Sequence, residues 1–539
     1  MLKEFVRAEI EKALAQLDIK KHPIDISTTD KPEFGDYATN VAFTLSKQMQ
    51  KSPRDVAEQL LENINTSVFN KVEVAGPGFL NFHLKPDTIH SVIRDAIEKG
   101  DQFGQLNLGE GKRVQVEYVS ANPTGPLTVG HGRNAVVGDT VANILDAVGW
   151  DVTREYYFND AGKQMRMLGE SVRVRFQQLL GQSVEISEDH YQGEYLVDIA
   201  QKILDEHGEA AAEKDWAFFK DIAKDAIMGD IRNTLGLLGI QFDVFTNEAA
   251  FFDNNAIWDC LEQLKEKGYA YEKDGAMWYK ATEFGAEKDR VLVRSSGEPT
   301  YRLPDIAYHA DKLERGFDWV IDILGADHIV QTPDIISAVK VLGYDGDKIQ
   351  PLFYQFVTLT SGGEAMKMST RKANFVTLEE LINDVSADAV RYFMISRSTD
   401  AQMEFDLELA KKQSKDNPVY YIQYAHTRIA SILREHQGDT SVDASVDLSP
   451  LSEPEIQELI KKLDAYSDAL QETAHHLSPH ILVNYAHQLA GLFHTFYERY
   501  KVLTDDETVS KARLALVKAT QVVLKKALSI LGVSAPERM

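Results

Sequence analysis

Residues 116–139, VEYVSANPTGPLTVGHGRNAVVGD, combine the residue types that a nucleotide site needs. An alternating apolar run, typical of a buried strand, is ended by a Pro/Gly turn, and a helix is predicted to begin near Thr128. The amino end of a helix offers unpaired N–H groups and a partial positive charge to phosphate. Gly130 would let a nucleotide approach the backbone, and His131 could donate to a phosphate or ribose oxygen. The segment predicts a polyphosphate site, with an ordinary loop and a surface histidine as the alternative.

A second segment, residues 358–372, reads TLTSGGEAMKMSTRK and places cations and hydroxyls after a predicted strand and a Ser-Gly-Gly turn. Lys367, Arg371 and Lys372 could neutralise charge on the reacting phosphorus and on departing pyrophosphate. Ser369 adds a hydroxyl or backbone contact. A solvated basic loop is the alternative for this segment alone. The chain contains neither a Walker A nor a GxGxxG pattern, so P-loop and dinucleotide-binding interpretations lose their main support.

The elements that must position both segments alternate between strands and helices from Arg113 onward. We predict strands at RVQVEYV, DVTREYYF, FDWVIDIL, ILGADHIV and LFYQFVTL, with a helix at 129–148. This alternation is typical of an α/β fold with a doubly wound, mostly parallel sheet, which binds ligands at the carboxyl ends of its strands. The stretch at about 165–290 is rich in helix-forming and charged residues, and we interpret it as an insertion between two half-folds.

The two ends of the chain have different patterns. Residues 2–17 have helical periodicity, and 71–84 is predicted to form a hairpin or a bent strand pair. We therefore expect an α+β domain at 1–105 and a catalytic-type α/β domain at 106–385. Residues 386–539 have helical periodicity without strand signals, which indicates a terminal helix bundle.

Composition narrows the class of protein. The 539 residues are 44% apolar and carry a net charge of −25. An acidic total argues against nucleic acid as a partner, but Lys and Arg gathered on one face act locally, within a Debye length of about 8 Å. The chain begins without an apolar signal-like run and has no long uncharged apolar stretch, so we expect a cytoplasmic protein without a membrane span. Its one cysteine, Cys260, excludes internal disulfides and a cysteine-rich zinc site.

Several of these motifs together resemble the bacterial arginyl-tRNA synthetases over essentially the whole chain. SANPTGPLTVGHGRN resembles the HIGH region of that family, and KMSTR resembles its KMSKS loop. FGDYATNVAF resembles its N-terminal domain, which is involved with the outer corner of tRNA, and DAVRYFMISR with NPVYYIQYAHTR resembles the start of its anticodon-binding domain. The resemblance implies a class I synthetase fold with a Rossmann-like catalytic domain, an α+β N-terminal domain and an all-α C-terminal bundle.

The activity that this resemblance implies is an arginine–tRNA ligase. Such an enzyme uses ATP with Mg²⁺ and no zinc, acts on L-arginine and tRNA(Arg), and is a monomer. The expected catalytic and ATP-binding residues are Thr128, Gly130, His131, Gly132, Lys367, Met368, Ser369, Arg371 and Lys372.

Two of these positions depart from the family pattern. Thr128 stands where the first HIGH histidine is usual, so the nucleotide contact usually made there is either lost or shared between His131 and the Thr128 hydroxyl. This departure puts the reaction rate in doubt and not the fold. The second lysine of KMSKS is also missing, because Thr370 and Arg371 occupy that part of the motif. Arg371 and Lys372 are both candidates to replace it.

A buried guanidinium requires carboxylates and planar acceptors, because an unpaired buried charge is costly. By resemblance, arginine would be held by Glu117, Ser120, Asn122, Tyr301 and Asp305. A spacing of four places Tyr301 and Asp305 on one face if the segment is helical, although Pro304 makes a bent loop an alternative. For Asp327 and His328, a functional role and structural packing are both open.

Contacts with tRNA are expected on the first helix of the bundle, at Tyr420, Tyr421, Tyr424 and Arg428, with Arg538 and Met539 at the C-terminus as further candidates. Rings and cations can stack on unpaired anticodon bases. A plain core face is the alternative for any single tyrosine, since Tyr421 and Tyr420 each share a face with Tyr424 but not with one another.

Four histidines of the bundle, His476, His480, His487 and His494, have spacings that suggest a metal site. No carboxylate–histidine motif surrounds them and Pro479 interrupts the first pair, so we interpret them as polar members of the bundle core. Two other functions stay open: a synthetase for another amino acid, and a tRNA-binding paralogue without catalysis, of which Thr128 would be a sign.

Overall fold

The computed structural model describes residues 1–29, 31–366, 376–436 and 444–539. Its strands, in chain order, are β1 Ile26–Thr28, β2 Tyr37–Thr39, β3 Phe69–Ala75, β4 Phe79–Leu84, β5 Arg113–Glu117, β6 Asp151–Phe158, β7 Val244–Asn247, β8 Ala270–Lys273, β9 Ala276–Tyr279, β10 Arg290–Val293, β11 Trp319–Gly325, β12 Ile349–Tyr354, β13 Val357–Ser361, β14 Glu364–Ala365 and β15 Met403–Asp406.

The helices are α1 Leu2–Gln16, α2 Val41–Met49, α3 Pro53–Asn63, α4 Pro86–Lys99, α5 Val129–Ala147, α6 Gly162–Leu179, α7 Tyr195–His207, α8 Trp216–Leu237, α9 Ala249–Asp253, α10 Ala256–Glu266, α11 Arg302–Glu314, α12 Thr332–Leu342, α13 Leu378–Val385, α14 Ala387–Ile395, α15 Leu407–Lys411, α16 Pro418–Glu435, α17 Pro454–Asp464, α18 Tyr466–His476, α19 Pro479–Arg499 and α20 Glu507–Leu531.

A parallel sheet of five strands, in the order β12-β11-β5-β6-β7, forms the centre of the molecule. Every neighbouring pair in it is parallel, and the order reverses direction at β5. Strands of such a sheet are apolar because helices cover both faces, and Val114, Val116 and Ile321 are fully buried here. The predicted doubly wound α/β fold is confirmed.

Three stretches differ from the sequence prediction. The range 165–290 is not only helical, since it contains β7 of the central sheet and part of a small sheet of order β10-β9-β8. Strand β15 lies inside the range expected to be a bundle and pairs in parallel with β13. The run ILGADHIV is not a strand of its own, because β11 ends at Gly325 and a 3₁₀ turn, Ala326–His328, follows. Short or half-polar strands carry little periodicity, and this explains the first two differences.

The N-terminal unit is a four-stranded sheet of order β1-β2-β4-β3 with helices α1 to α4. The predicted hairpin is confirmed as the antiparallel pair β3–β4. This unit docks on the C-terminal bundle through polar contacts as well as apolar ones: the backbone N–H of Leu2 donates to the Asp464 carboxylate at 3.0 and 3.1 Å, and Lys461 pairs with Asp36.

Helix α5 joins the sheet to the bundle. Most of its residues are buried, and it contacts β5, β6, β11 and the helices α14 and α20. A Cβ on Gly138 would lie 2.3 Å from the Tyr118 side chain, so only glycine lets α5 approach the residue that follows β5. This close packing fixes the amino end of α5 relative to the ends of the strands.

Within the described ranges, no helix is long and apolar enough to cross a membrane.

Candidate active site

A cavity of about 710 Å³ opens at the carboxyl ends of the central strands. All the residues that were expected to bind arginine line it, together with the expected nucleotide residues Thr128, Gly130 and His131. Asp327 and His328 line it as well. The structure thus brings together side chains from β5, from the start of α5, from α11 and from the turn after β11. Their convergence at strand ends is where doubly wound folds bind ligands.

The turn after β5 is held in a strained conformation. Val119 and Ser120 have φ values of 66° and 42°, a left-handed region that β-branched residues rarely adopt. The backbone N–H of Val119 donates to Asn134 Oδ1 at 2.6 Å, and Asn134 Nδ2 donates to the carbonyl of Ile323 at 2.9 Å. Asn134 therefore ties the turn to β11 and stabilises a geometry that points Ser120 and Asn122 toward the cavity.

His131 is oriented by the first turn of α5. Its Nδ1 accepts a hydrogen bond from the backbone N–H of Thr128 at 3.0 Å, and Thr128 is the N-cap residue of the helix. Burial lowers the pKa of His131, so the ring is neutral at pH 7. Because Nδ1 is the acceptor, the ring proton is on Nε2, which is then the donor available to a ligand.

The two glycines expected to bind ATP lie in different surroundings. Gly130 lines the cavity, and a Cβ there would meet nothing closer than 3.7 Å. Gly132 is buried instead, where a Cβ would lie 2.7 Å from the Leu378 side chain, and it does not line the cavity. A glycine at this position lets α5 approach Leu378 at the start of α13, and the assignment of Gly132 to ATP binding stays a prediction.

Arg133 joins α5 to two loops. Its guanidinium is buried and donates to the carbonyls of Gln355 at 2.5 Å, Ser398 at 2.9 Å and Ala401 at 3.0 Å. These contacts tie α5 to the turn between β12 and β13 and to the loop between α14 and β15. Lys367, Met368, Ser369, Arg371 and Lys372, which were expected to contact ATP, lie outside the described residues.

A buried charge network lies beneath the cavity. Lys312 is fully buried and pairs with Glu117 and, at 2.6 Å, with Asp322, while His309 Nε2 lies 3.0 Å from Asp322. Burial opposes the charge on Lys312, but the two carboxylates outweigh it and raise its pKa. Asp322 is likewise desolvated, yet Lys312 and His309 lower its pKa. Glu117 therefore already has a cationic partner within the protein.

Asp305 and Glu248 are the acids of the cavity that lack such a partner. Among the residues that the structure describes, neither has a cation within ion-pair distance. Burial, with Glu117 adding repulsion, raises the pKa of Asp305 to about 6. Burial, with Asp305 and Asp160 adding repulsion, raises the pKa of Glu248 to about 7. A cavity with two desolvated, unpaired carboxyl groups favours a cationic ligand.

The remaining expected arginine residues form one wall of the same cavity. Ser120 Oγ donates to Glu117 at 2.7 Å, and Asn122 Oδ1 accepts from the backbone N–H of Asn159 at 3.0 Å. Tyr301 is the N-cap of α11 and is 62% exposed, so its ring is free to pack on a ligand. The bent-loop alternative is wrong, because Pro304 lies in the first turn of α11, where proline is tolerated.

The aromatic cluster predicted for tRNA lies on α16. The rings of Tyr420 and Tyr424 are parallel with centroids 6.2 Å apart, and Arg428 donates to the Tyr424 hydroxyl at 2.6 Å. Tyr421 instead packs against His487 and His494, at 5.2 and 4.5 Å between ring centroids. Tyr424 therefore lies on the exposed side of the cluster. Tyr421 lies in the interface between α16 and α19.

The C-terminal tail crosses the same helix. The carbonyl of Pro536 accepts from Thr427 Oγ1 at 3.0 Å and Arg434 donates to the carbonyl of Glu537, also at 3.0 Å, while Met539 is exposed.

Of the four bundle histidines, His494 donates to the carbonyl of Tyr421 at 3.2 Å. In the described part of the chain, no group of three or more His, Cys, Asp and Glu side chains could hold a metal ion.

A doubly wound sheet with a helix amino end and a cavity at its strand termini is the arrangement in which α/β enzymes bind nucleotides. Family models agree with this and name the domains. Residues 2–84 match the arginyl tRNA synthetase N-terminal domain, 92–430 match the catalytic domain of class I (R) tRNA synthetases, and 422–539 match the DALR anticodon-binding domain.

Whole-chain relatives support the same assignment. The arginine–tRNA ligase of Desulfotalea psychrophila is 48% identical over 94% of this chain and 93% of its own, and that of Salinibacter ruber is 46% identical over all of both chains. The Thermus thermophilus arginyl-tRNA synthetase structure has a TM-score of 0.77 at 23% identity, covering all of both chains. The chain belongs to the arginyl-tRNA synthetase family.

Proposed function

We propose that this chain ligates L-arginine to tRNA(Arg) in two steps. The arginine carboxylate attacks the α-phosphorus of ATP, forming arginyl-adenylate and releasing diphosphate. A hydroxyl of the terminal tRNA ribose then attacks the arginyl carbonyl carbon, giving arginyl-tRNA and AMP. The observation that carries the proposal is the single cavity that joins a helix amino end to two unpaired carboxyl groups.

The nucleotide side of the cavity would be formed by the start of α5. The Nε2–H group of His131 would bind the phosphates. Gly130 and the unpaired backbone N–H groups that follow Thr128 in the first turn of α5 would contribute to the same binding. In the adenylation transition state charge grows on the phosphate oxygens, and preorganised donors stabilise it without reorganisation. We propose that Lys367, Ser369 and Arg371 belong to this site and that Met368 and Lys372 contact ATP. Mg²⁺ would arrive bound to the ATP triphosphate, its usual ligand.

The arginine side would use Asp305 as the carboxylate for the guanidinium and the Tyr301 ring as its packing partner. Glu117, paired with Lys312, would serve as a fixed acceptor rather than as a free charge. Ser120 and Asn122, on the strained turn, would orient the α-amino end. Positioning and charge stabilisation would then account for most of the rate acceleration.

Recognition of tRNA would involve Tyr420, Tyr424 and Arg428 on α16, with Tyr421 supporting them and Met539 nearby. Stacking of unpaired bases on such rings is sequence-tolerant and strong. We further propose that the domains divide near residues 105 and 385, that the protein acts as a monomer and that it works in the cytoplasm.

The decisive experiment is ATP–diphosphate exchange with each amino acid in turn, with and without tRNA. Exchange with arginine alone among the amino acids supports the proposal. Exchange with another amino acid would identify a different synthetase, and no exchange despite intact tRNA binding would identify a paralogue without catalysis.

A further inference from the structure

Arg391 is a buried cation between the catalytic sheet and the C-terminal bundle. It lies on α14, is 2% exposed and donates to acceptors on three other segments. Its Nη2 donates to the Asp139 carboxylate on α5 at 2.5 Å. Its Nη1 donates to the carbonyl of Leu238 at 2.9 Å, and its Nε to the carbonyl of Leu531 at 3.1 Å. One side chain therefore joins α5, the end of α8, α14 and the end of α20, and we call this meeting point the α14 junction.

The acceptors around Arg391 are those that a guanidinium prefers. Leu531 is the last residue of α20 and Leu238 directly follows α8, so both carbonyls belong to helix carboxyl ends. Such carbonyls lack partners within the helix and carry a partial negative charge. A planar fork of five N–H donors can satisfy them and the carboxylate together, whereas a lysine ammonium is a point charge. The packing is equally close, because a Cβ on Gly532 would lie 2.1 Å from the guanidinium.

The Asp139 side of the α14 junction leads to the active site. The amino end of α5 lines the cavity through Thr128 and His131. Asp139 lies about three turns further along the same helix, roughly 16 Å from Thr128. Asn143, one turn beyond Asp139, donates to the carbonyl of Ile530 at 3.3 Å, which is a second link between α5 and the end of α20. The position of α5 relative to α20 is therefore fixed at two neighbouring points.

The other side of α14 leads to the helix that carries the expected tRNA contacts. Asp388, one turn before Arg391, accepts from Gln423 Nε2 on α16 at 2.8 Å. It also accepts from the backbone N–H of Ser534, at 2.8 Å, and from the Ser534 hydroxyl. Gln423 precedes Tyr424, the exposed ring of the aromatic cluster. Helix α14 therefore links α5 to α16 through two charged side chains, Arg391 and Asp388.

We infer that Arg391 is a positioning residue for transfer of the arginyl group to tRNA. The inference rests on the proposed function, in which one tRNA contacts α16 with its anticodon and the active site with its terminal ribose. A substrate held at two distant points engages both only where the distance and angle between them suit it, and a misplacement of about 1 Å can cost about a hundredfold in rate. Arg391 sets this geometry by holding α5 against α14 and α20.

The test is Arg391→Lys, which keeps a cation beside Asp139 and removes the fork that reaches the two helix ends. Arginylation is measured with whole tRNA(Arg) and with a minihelix that contains only its acceptor stem, T-stem loop and CCA end. The minihelix contacts the catalytic domain without the anticodon helix, so its kcat/KM should stay at the wild-type value. With whole tRNA we expect kcat to fall about tenfold or more, while the Kd of the tRNA and the arginine KM change far less.

The matched control is Arg513→Lys, which replaces a guanidinium that donates to the carbonyl of Lys501 at 2.8 Å within the bundle. It should leave every constant at its wild-type value. A second variant, Asp388→Asn, weakens the link between α14 and α16 at a partly exposed position and should also lower kcat with whole tRNA alone. Because both substitutions loosen the same connection, the double variant should lose less than the product of the two single losses.

Equal losses with whole tRNA and minihelix in folded Arg391→Lys would overturn the inference, because they would indicate general damage to the active site. A wild-type kcat with whole tRNA would overturn it too, as would a change confined to the Kd of the tRNA. If Arg391→Lys does not fold, Asp388→Asn must show the selective loss by itself.

If the wild-type chain charges whole tRNA but not the minihelix, the kcat and Kd for whole tRNA and the double variant decide, since independent damage would multiply. All these outcomes leave the proposed function intact. A wild-type chain that does not charge whole tRNA with arginine would instead refute the proposed function, and the inference with it.

Discussion

Replacing Asp305 by Asn should have opposite effects on activity and on stability. The substitution keeps the shape of the side chain and removes its charge. Asp305 faces the cavity from the first turn of α11, and none of the described cations pairs with it. In the free protein the ionised Asp305 carboxylate therefore lowers the stability of the fold. With arginine bound, we expect it to form an ion pair with the guanidinium.

The expected loss of activity follows from the cost of breaking a buried ion pair, about 3–5 kcal/mol. Each tenfold change corresponds to about 1.4 kcal/mol, so kcat/KM for arginine should fall by at least about a hundredfold. The ATP and tRNA constants should change little, because Asp305 lies on the amino-acid side of the cavity.

The expected gain in stability follows from the pKa. Folding raises the pKa of Asp305 from 3.8 to about 6, and about two pKa units correspond to about 3 kcal/mol. Because the folded-state pKa is the higher one, ionised Asp305 destabilises the fold. This cost grows as the pH rises above 3.8 and is complete above about 6. Free Asp305→Asn should therefore unfold at a higher temperature than wild type at pH 8, with a smaller difference at pH 5.

The assay combines arginine-dependent aminoacylation with thermal unfolding at pH 8 and pH 5, each with and without saturating arginine. Arginine should raise the wild-type melting temperature and leave that of Asp305→Asn nearly unchanged. A variant with wild-type kcat/KM would remove Asp305 from the site. A variant less stable than wild type at pH 8 without arginine would show that the carboxylate has a stabilising partner, and the charge reasoning would fail.

Three further variants examine other parts of the site. His131→Ala should lower the rate of arginine-dependent ATP–diphosphate exchange by about a hundredfold or more at a nearly constant arginine KM, whereas an unaltered rate would remove His131 from catalysis. Lys312→Met leaves Glu117 and Asp322 buried without their cation and should lower the free energy of unfolding by about 3–5 kcal/mol; a wild-type denaturation curve would contradict this. Tyr424→Ala should weaken tRNA binding by about 1–3 kcal/mol in a binding titration, and an effect on the arginine KM instead would place Tyr424 outside tRNA recognition.

The sequence was informative where residue type and local spacing carry the chemistry. The turn before α5 and its helix amino end could be predicted because Pro, Gly and the N-cap position act locally. The Tyr301 and Asp305 pair could be placed on one helical face from its spacing of four residues. In each case, the interactions that determine the structure lie within a few residues of the motif.

The remaining site residues depend on contacts between distant segments. Glu248 follows a short strand without clear alternation, and nothing in the sequence around it indicates that β7 joins the edge of the central sheet. Asn134 looks like any polar residue of a buried helix, although it holds the strained turn. Asp322 did carry a signal, because an acid inside the apolar run WVIDIL must have a buried partner, but the sequence did not reveal that the partner is Lys312.

Helix α11 places one carboxyl group in the cavity with no cation of the described residues beside it. Lys312 points beneath the cavity floor and pairs with Glu117 and Asp322, while Asp305, seven residues earlier on the same helix, points into the cavity without such a partner. Had Lys312 paired with Asp305, that carboxylate could not compensate the desolvation of a guanidinium. Along α11, Lys312 lies two turns away from Asp305, and this separation leaves the Asp305 carboxylate available to a cationic side chain.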